Sequence, residues 1–366
     1  MELKNHELHG YNKKPIFDSH VHHLNPAPVD TSVALLNGMA DHFNYARMTL
    51  CAIPMYDPIA NVKSLYLKEH LTPISYVAAG INHHYDERDD ADFFLNEIKK
   101  YHAMGCDGIK MLEGKMELHR KIRPSRLDDK AFDKFYAYAE ENAIPIVMHL
   151  GDPAENWDLS KMSEYAIAKG WYNGPEDPTL EDLRSEVDGI LRKFPKLKLT
   201  LAHFYFMGDD LTRAAKMFDT YENLCFDLTP GGEMYVSFTS NYENARLFFE
   251  KYADRLVYGT DTYNFPLDGA TPERRYGSRI NLVRSYLEAA EDYTYMKDTV
   301  RPFHFGEEIT DKIYRKNFLR IYGETPRALD YERIVAECEL IAKERTLDEL
   351  SAQNLATVSK YFKNLI

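Results

Sequence analysis

The chain has 366 residues and a formal charge of −13, with 45 Lys and Arg against 58 Asp and Glu. Such an acidic balance argues against a nucleic-acid partner, because binding a phosphate backbone needs a basic face. Hydrophobic residues make up 44% and charged residues 28%, which suits a packed core and excludes a disordered chain.

No apolar run approaches the length needed to span a bilayer, so no membrane partner is expected. Met1–Pro15 is polar and mixed in charge, without the apolar segment of a secretory signal. The four cysteines, Cys51, Cys106, Cys225 and Cys338, are scattered and form no C-x-x-C. A reduced, cytoplasmic protein is the expectation.

After a lead-in over 1–14, the first strand is predicted at Ile16–His22. Its alternation puts Asp18, His20 and His22 on one face and Phe17, Ser19 and Val21 on the other. Two imidazoles at i and i+2 on one face can hold a single metal ion if other strands supply partners. Further strand-like runs follow at Met48–Pro54, Ile74–Ile81, Gly108–Leu112, Ile144–Leu150, Leu197–Phe204, Leu224–Leu228 and Leu256–Asp261. Helical spacing lies between them, over Asp92–Met104, Asp129–Asn142, Leu180–Phe194, Asp209–Tyr221 and Asn241–Tyr252. Eight strands alternating with helices predict an α/β fold, a (β/α)8 barrel over 15–323. A doubly wound open sheet would favour a Gly-rich turn after the first strand, where the sequence instead reads His-Val-His-His-Leu-Asn-Pro.

Two connections are longer than a bare barrel needs: Gly151–Asp177, which carries Trp157 and Trp171, and Thr262–Ser278. Loops at these strand ends are expected to wall the site. Helix Glu307–Tyr322 is expected to close the barrel, and 324–366 to form a C-terminal helical extension with apolar spacing at Leu329, Ile334, Val335, Leu340 and Ile341. That extension suits a homodimer contact and a monomer with a covered barrel base equally well.

Polar residues recur at the C-terminal edges of the predicted strands. His149 ends strand five, His203 strand six and Asp261 strand eight, while Lys110 sits among apolar neighbours in strand four. In a barrel these would converge on one rim with His20 and His22. Asp18, one inward step below His20, is suited either to fixing a ligand's tautomer or to a structural hydrogen bond. His23 faces away from His22 and reads as structural or loop-facing.

With these motifs the sequence resembles the amidohydrolase superfamily, and within it the amidohydrolase-2 group of metal-dependent hydrolases and decarboxylases. The likeness spans roughly Pro15–Gly323 and rests on Asp18-Ser-His20-Val-His22, Gly108-Ile-Lys110, Met148-His149-Leu-Gly, Leu201-Ala-His203-Phe and Gly259-Thr-Asp261. It implies that His20, His22, His149 and Asp261 ligate a divalent metal. His203 would orient or protonate the substrate, or hold a second metal as in binuclear relatives. Lys110 would be carboxylated between two metals, or stand as a substrate-facing cation beside one.

The residue types suit that chemistry. Imidazole and carboxylate favour Zn²⁺ and accept Mn²⁺ or Fe²⁺. An open coordination position binds water and lowers its pKa toward neutrality. Asp261 can accept the proton of that water, and His203 can stabilise or protonate the developing oxyanion. One zinc ion with Lys110 facing the substrate is expected, the bland alternative being that Lys110 snorkels to Glu113. Arg120, Lys121 and Arg123 add a basic cluster nearby and hint at an anionic substrate. Tyr205 is expected to face the cavity and bind substrate, with Trp157, Glu233 and Tyr263 on neighbouring loops.

The expected activity is metal-dependent hydrolysis of a small carboxylated ester, lactone or amide by metal-bound hydroxide. Two alternatives stand beside it. One is a non-oxidative decarboxylase of a small aromatic or unsaturated acid; the other, of a different class, is a non-catalytic barrel that binds a small molecule.

Overall fold

The strands form where the apolar runs lie, because parallel strands covered on both faces need continuous rather than alternating burial. In a computed structural model that describes residues 14–23, 27–85, 87–263, 270–295 and 298–366, they are β1 (Ile16–His22), β2 (Tyr45–Cys51), β3 (Ser75–Gly80), β4 (Gly108–Gly114), β5 (Ile146–Leu150), β6 (Leu199–Leu201), β7 (Leu224–Asp227), β8 (Leu256–Val257) and β9 (Thr262–Tyr263). Their order in the sheet is β8-β7-β6-β5-β4-β3-β2-β1-β9. Its pairings are parallel.

The two ends of this sheet are one passage of chain. β8 pairs with β7 and β9 pairs with β1. Between them the Ser19 N–H donates to Tyr258 O at 2.9 Å, and the Asp261 N–H to His20 O at 2.8 Å. The sheet is therefore closed, a (β/α)8 barrel with its last strand split in two. Several bounds differ from the sequence reading, among them the start of β2 and the end of β6, by three residues each. β2 begins at Tyr45, and β6 stops at Leu201, where the chain enters a tight turn over His203–Phe206.

Helices cover the outside, and their ends are written in the sequence. Asp90 accepts from the N–H groups of Asp92 and Phe93 to start Ala91–Met104, and Gly105, at φ 99°, ends it. Thr179 and Asp182 form a reciprocal cap on Leu180–Lys193. The inward face of Ala91–Met104 buries Phe94, Ile98 and Tyr101. Each such side chain contributes about 1.5–3 kcal/mol of burial.

The barrel floor is plugged at the N-terminal ends of the strands. The predicted helix 307–322 is present as Glu307–Asp311, a π turn over Lys312–Lys316, and Asn317–Tyr322. Phe318 packs edge-on to Phe17 and Tyr76, with ring centroids 5.6 and 5.1 Å away. The Asn317 amide donates to Ala253 O and Leu256 O, both at 2.7 Å. With the floor closed, ligands reach the interior from the C-terminal rim.

Helices Tyr331–Glu344 and Glu349–Lys363 form a hairpin against helix Ala60–His70, with Tyr66 edge-on to Tyr361 at 5.1 Å. Asn354 reaches the loop leaving β1, accepting from Val29 N–H at 2.9 Å and donating to Ala27 O at 3.0 Å. The four cysteines are buried and unpaired. Among the described residues no helix is long and apolar enough to cross a membrane.

Candidate metal centre

β1 carries His20 and His22 into the barrel, and a hydrogen-bond acceptor fixes each ring from behind. His22 Nδ1 donates to Cys51 O at 2.8 Å, since a carbonyl can only accept. His20 Nδ1 lies 2.8 Å from Asp227 Oδ2 and 3.2 Å from Thr229 Oγ1. Both rings therefore turn an Nε2 lone pair inward, and these two atoms are 3.1 Å apart. Two lone pairs at that distance repel one another unless a cation lies between them.

Asp261 completes the cluster, with Oδ1 3.1 Å from His22 Nε2 and 3.9 Å from His20 Nε2. All three donor atoms fall within 4.8 Å of one another. Metal–ligand bonds of about 2.0–2.1 Å at near-tetrahedral angles place donors about 3.3 Å apart, so the set fits one divalent ion. The passage carrying Asp261 fits tightly beside this cluster. A Cβ at Gly259 would come within 2.6 Å of Thr229 Oγ1.

His149 and His203 form a second pair on the same cavity. His149 Nε2 donates to Gly151 O at 3.0 Å, which leaves its Nδ1 lone pair 3.1 Å from His203 Nε2. The His203 ring stands 5.9 Å from that of His20, and its Nδ1 is buried without a hydrogen-bond partner. Lys110 Nζ lies 3.0 Å from His20 Nε2.

Burial sets the protonation states. With Lys110 nearby, it lowers His20 to about 4, against the pull of Asp227. It also lowers His203 to about 3, and burial together with His203 holds His149 well below the usual histidine range. Neutral imidazoles are the form in which histidine binds metal. Burial pushes Asp261 up, but Arg279, His22 and His20 outweigh it and hold the carboxyl well below its usual range. Burial also lowers Lys110, partly offset by Cys51, Asp227 and Asp261.

A cavity of ≈ 440 Å³ opens over these groups toward the C-terminal rim. Its inner end holds His20, His22, His149, His203, Lys110 and Asp261. Its walls add Arg279 and Tyr263 on one side and Lys115, Asp152, Asn156 and Trp171 from the β4 and β5 loops. Arg279 Nη1 donates to Asp261 Oδ2 at 2.5 Å and to Asp261 O at 2.8 Å. Lys115 pairs with Asp152 at 3.5 Å and lies over the Trp171 ring at 5.6 Å.

The family model described as amidohydrolase matches residues 76–323. The chain belongs to the amidohydrolase family. Its members are metal-dependent enzymes, and this chain carries a His/His/Asp cluster able to hold a metal. β1, with His20 and His22, lies before the matched segment. No curated protein matches the sequence.

Solved structures share the barrel at low identity. The 2,6-dihydroxybenzoate decarboxylase from Rhizobium is 15% identical at a TM-score of 0.51, covering 84% of this chain and 99% of that one. The 4-oxalomesaconate hydratase from Rhodopseudomonas palustris is 13% identical at 0.52, covering 90% and 99%. A putative 2-pyrone-4,6-dicarboxylic acid hydrolase from Pseudomonas putida is 12% identical at 0.50, covering 84% and 97%. At these identities the likeness concerns the fold.

Several residues expected at the site lie elsewhere. Tyr205 does not line the cavity. His203 through Phe206 all take positive φ, which breaks the strand alternation and turns Tyr205 into the wall against Phe226 and Arg184. Phe206 lines the cavity instead, stacked on His203 at 5.2 Å. Arg120 is taken by Asp177, at 2.7 Å, and pins the far end of the β5 loop, while Lys121 and Arg123 also lie off the cavity lining. Trp157 donates to Pro178 O at 3.1 Å, and Trp171 takes the cavity wall. The Glu233 side chain lies outside the described residues.

Asp18 serves as a strut. It accepts from Thr260 Oγ1, Tyr45 Oη and the His20 and Thr260 N–H groups, and burial still pushes its carboxyl up to about 7. The carboxylate that fixes His20 is Asp227, whose Oδ1 also accepts from the His203 N–H at 2.8 Å. Lys110 does not reach Glu113. The two stand three apart on one strand and so face opposite ways, and Glu113 accepts from His83 at 2.9 Å.

Proposed function

We propose that the chain is a metal-dependent hydrolase of a small carboxylated ester, lactone or amide. What carries this reading is the donor geometry: His20, His22 and Asp261 bring three ligand atoms within 4.8 Å of one another at the inner end of a cavity that Lys110 and Arg279 also line. Three such donors around one ion leave a coordination position open for water. His20, His22 and Asp261 would hold one divalent ion, zinc by ligand type, and His149, whose Nδ1 faces His203 at 3.1 Å, would have to turn that nitrogen to the ion to join them. That ion would polarise a carbonyl and acidify water at neutral pH. His203 and Asp261 would take up the proton released, and Lys110 would meet the substrate's carboxylate. Lys115, above Trp171, would meet a second polar group nearer the rim.

Arg279 favours a second reading. It holds Asp261 Oδ2 at 2.5 Å, so the oxygen turned from the cluster is engaged and less able to take a proton. The same cationic lining suits non-oxidative decarboxylation, in which the bond to a carboxylate breaks and a proton is delivered to carbon. The metal-loaded protein should be incubated with a panel of small lactones, esters, amides and unsaturated acids, with products followed by mass and by released CO₂. Uptake of water without CO₂ is expected. Release of CO₂ without hydrolysis would replace this reading with the decarboxylase, and tight ligand binding without turnover would favour a binding protein.

A further inference from the structure

The opposite end of the barrel carries a second charged concavity that the metal centre does not use. Beside the floor helix Asn317–Tyr322 lie two cavities of ≈ 330 and ≈ 270 Å³, and Lys198, Arg320 and Ile321 line both. Arg255 extends the first and Arg327 the second. The result is a row of cations along one groove, with Lys198 and Arg320 at its middle.

These cations are held by carbonyl groups. Lys198 Nζ donates to Ile321 O at 3.2 Å, and Arg320 Nη2 to Asp254 O at 2.7 Å. Arg255 Nη1 donates to Tyr221 O at 2.9 Å, and Arg327 Nη2 to His102 O at 3.2 Å. Elsewhere arginines close ion pairs, as Arg213 does with Glu181 and Arg120 with Asp177. Of the acids lining the groove, Asp107 is bound to Lys68 at 2.6 Å and Asp254 to Lys312 at 3.3 Å, and Glu222 stands at the rim of the first cavity. Burial and the neighbouring Arg320 push the Lys198 ammonium below its ordinary value, as expected of like charges held close. A protein with a charge of −13 thus concentrates cations in a concave site.

We propose that this basal groove binds a small polyanion with two oxyanion groups, one between Arg255 and Arg320 and the other between Lys198 and Arg327. The carbonyls engage one terminal nitrogen of each of the three guanidinium groups, which leaves further N–H donors for an oxyanion. The bland alternative is that these side chains only cap strand-end carbonyls. In that case added anions would act through ionic strength alone.

The test is calorimetric titration of the metal-loaded, full-length protein with ethane-1,2-disulfonate and with methanesulfonate, at ionic strength held constant with NaCl. Sulfonates ligate transition metals weakly, which keeps the metal centre out of the signal. The disulfonate should bind about tenfold more tightly than the monosulfonate, because its second group binds intramolecularly. Lys198→Met and Arg327→Gln should each weaken disulfonate binding by about fivefold or more. Arg327 is exposed, so at least that variant should keep the fold. Equal affinities for the two sulfonates, no heat beyond the NaCl control, or binding unchanged in both variants would each overturn the proposal. Binding lost on metal removal but kept in both variants would assign the anion to the metal centre, and would overturn it too.

Discussion

Two buried histidines sit beside carboxylates at strand ends in this barrel, and they are built for opposite purposes. His83 donates Nδ1–H to Asp89 at 2.8 Å and Nε2–H to Glu113 at 2.9 Å. Burial pushes it down, but these two carboxylates outweigh that and raise it to about 9. Both nitrogens are spent on acids, so the ring is a charged strut between β4 and the loop after β3. His20 has one carboxylate behind it, Asp227, and turns its other nitrogen toward His22, Lys110 and Asp261. Burial and Lys110 lower it to about 4. A second carboxylate closes a histidine into an ion pair, whereas a single one leaves a lone pair for a metal.

The largest effect expected from breaking this contrast is at the open cluster. His22→Ala should reduce bound metal from about one equivalent per chain to near zero in elemental analysis, while the protein stays folded. Metal kept at full occupancy would remove His22 from the ligand set. Next comes the closed cluster. His83→Leu leaves Asp89 and Glu113 buried without their shared cation, which should cost about 3–5 kcal/mol in urea unfolding and leave metal content unchanged. A loss under about 1 kcal/mol would mean that the strut carries no charge. Asp227→Asn is gentler. It keeps a side-chain oxygen near His20 and the N–H of His203 but removes the charge, so metal affinity should fall about 10–100-fold by competition with a chelator. An unchanged affinity would make Asp227 a backbone anchor alone.

What the sequence disclosed follows the same division between local and distant partners. The eight passages were legible because strands buried on both faces read as apolar runs. His149, His203 and Asp261 could be named because each ends a predicted strand, His20 and His22 because they share one face of β1, and Lys110 because it stands alone among apolar strand neighbours. Asp227 stands at a strand end too, closing Leu-Cys-Phe-Asp, and the rule that singled out Asp261 applied to it equally. Arg279 gave no such signal: it sits in helix Pro272–Glu288, and only tertiary packing brings it to Asp261. Arg120 looked available because Asp177, which captures it, lies 57 residues away. Tyr205 was misjudged because alternation fails when four successive residues take positive φ, and nothing in His-Phe-Tyr-Phe announces that turn.

The smallest expected effect is in pH dependence, where the two histidines should give slopes of opposite sign. His83 is raised from 6.5 to about 9 in the folded chain. The native state therefore holds a proton that the unfolded state has lost, and stability contributed by this group is complete below about pH 6.5 and falls as pH rises toward 9. His20 runs the other way, lowered from 6.5 to about 4. Acid protonates its unfolded form first, so its contribution is complete above about pH 6.5 and falls as pH drops toward 4. Metal binding adds to this second slope, because protons compete for the same nitrogen. Urea midpoints measured across this range should show a maximum near neutrality. In His83→Leu the alkaline slope should flatten while the acid slope persists. If the variant kept the alkaline slope, the charge lost there would belong to another group, and His83 would be neutral in its site.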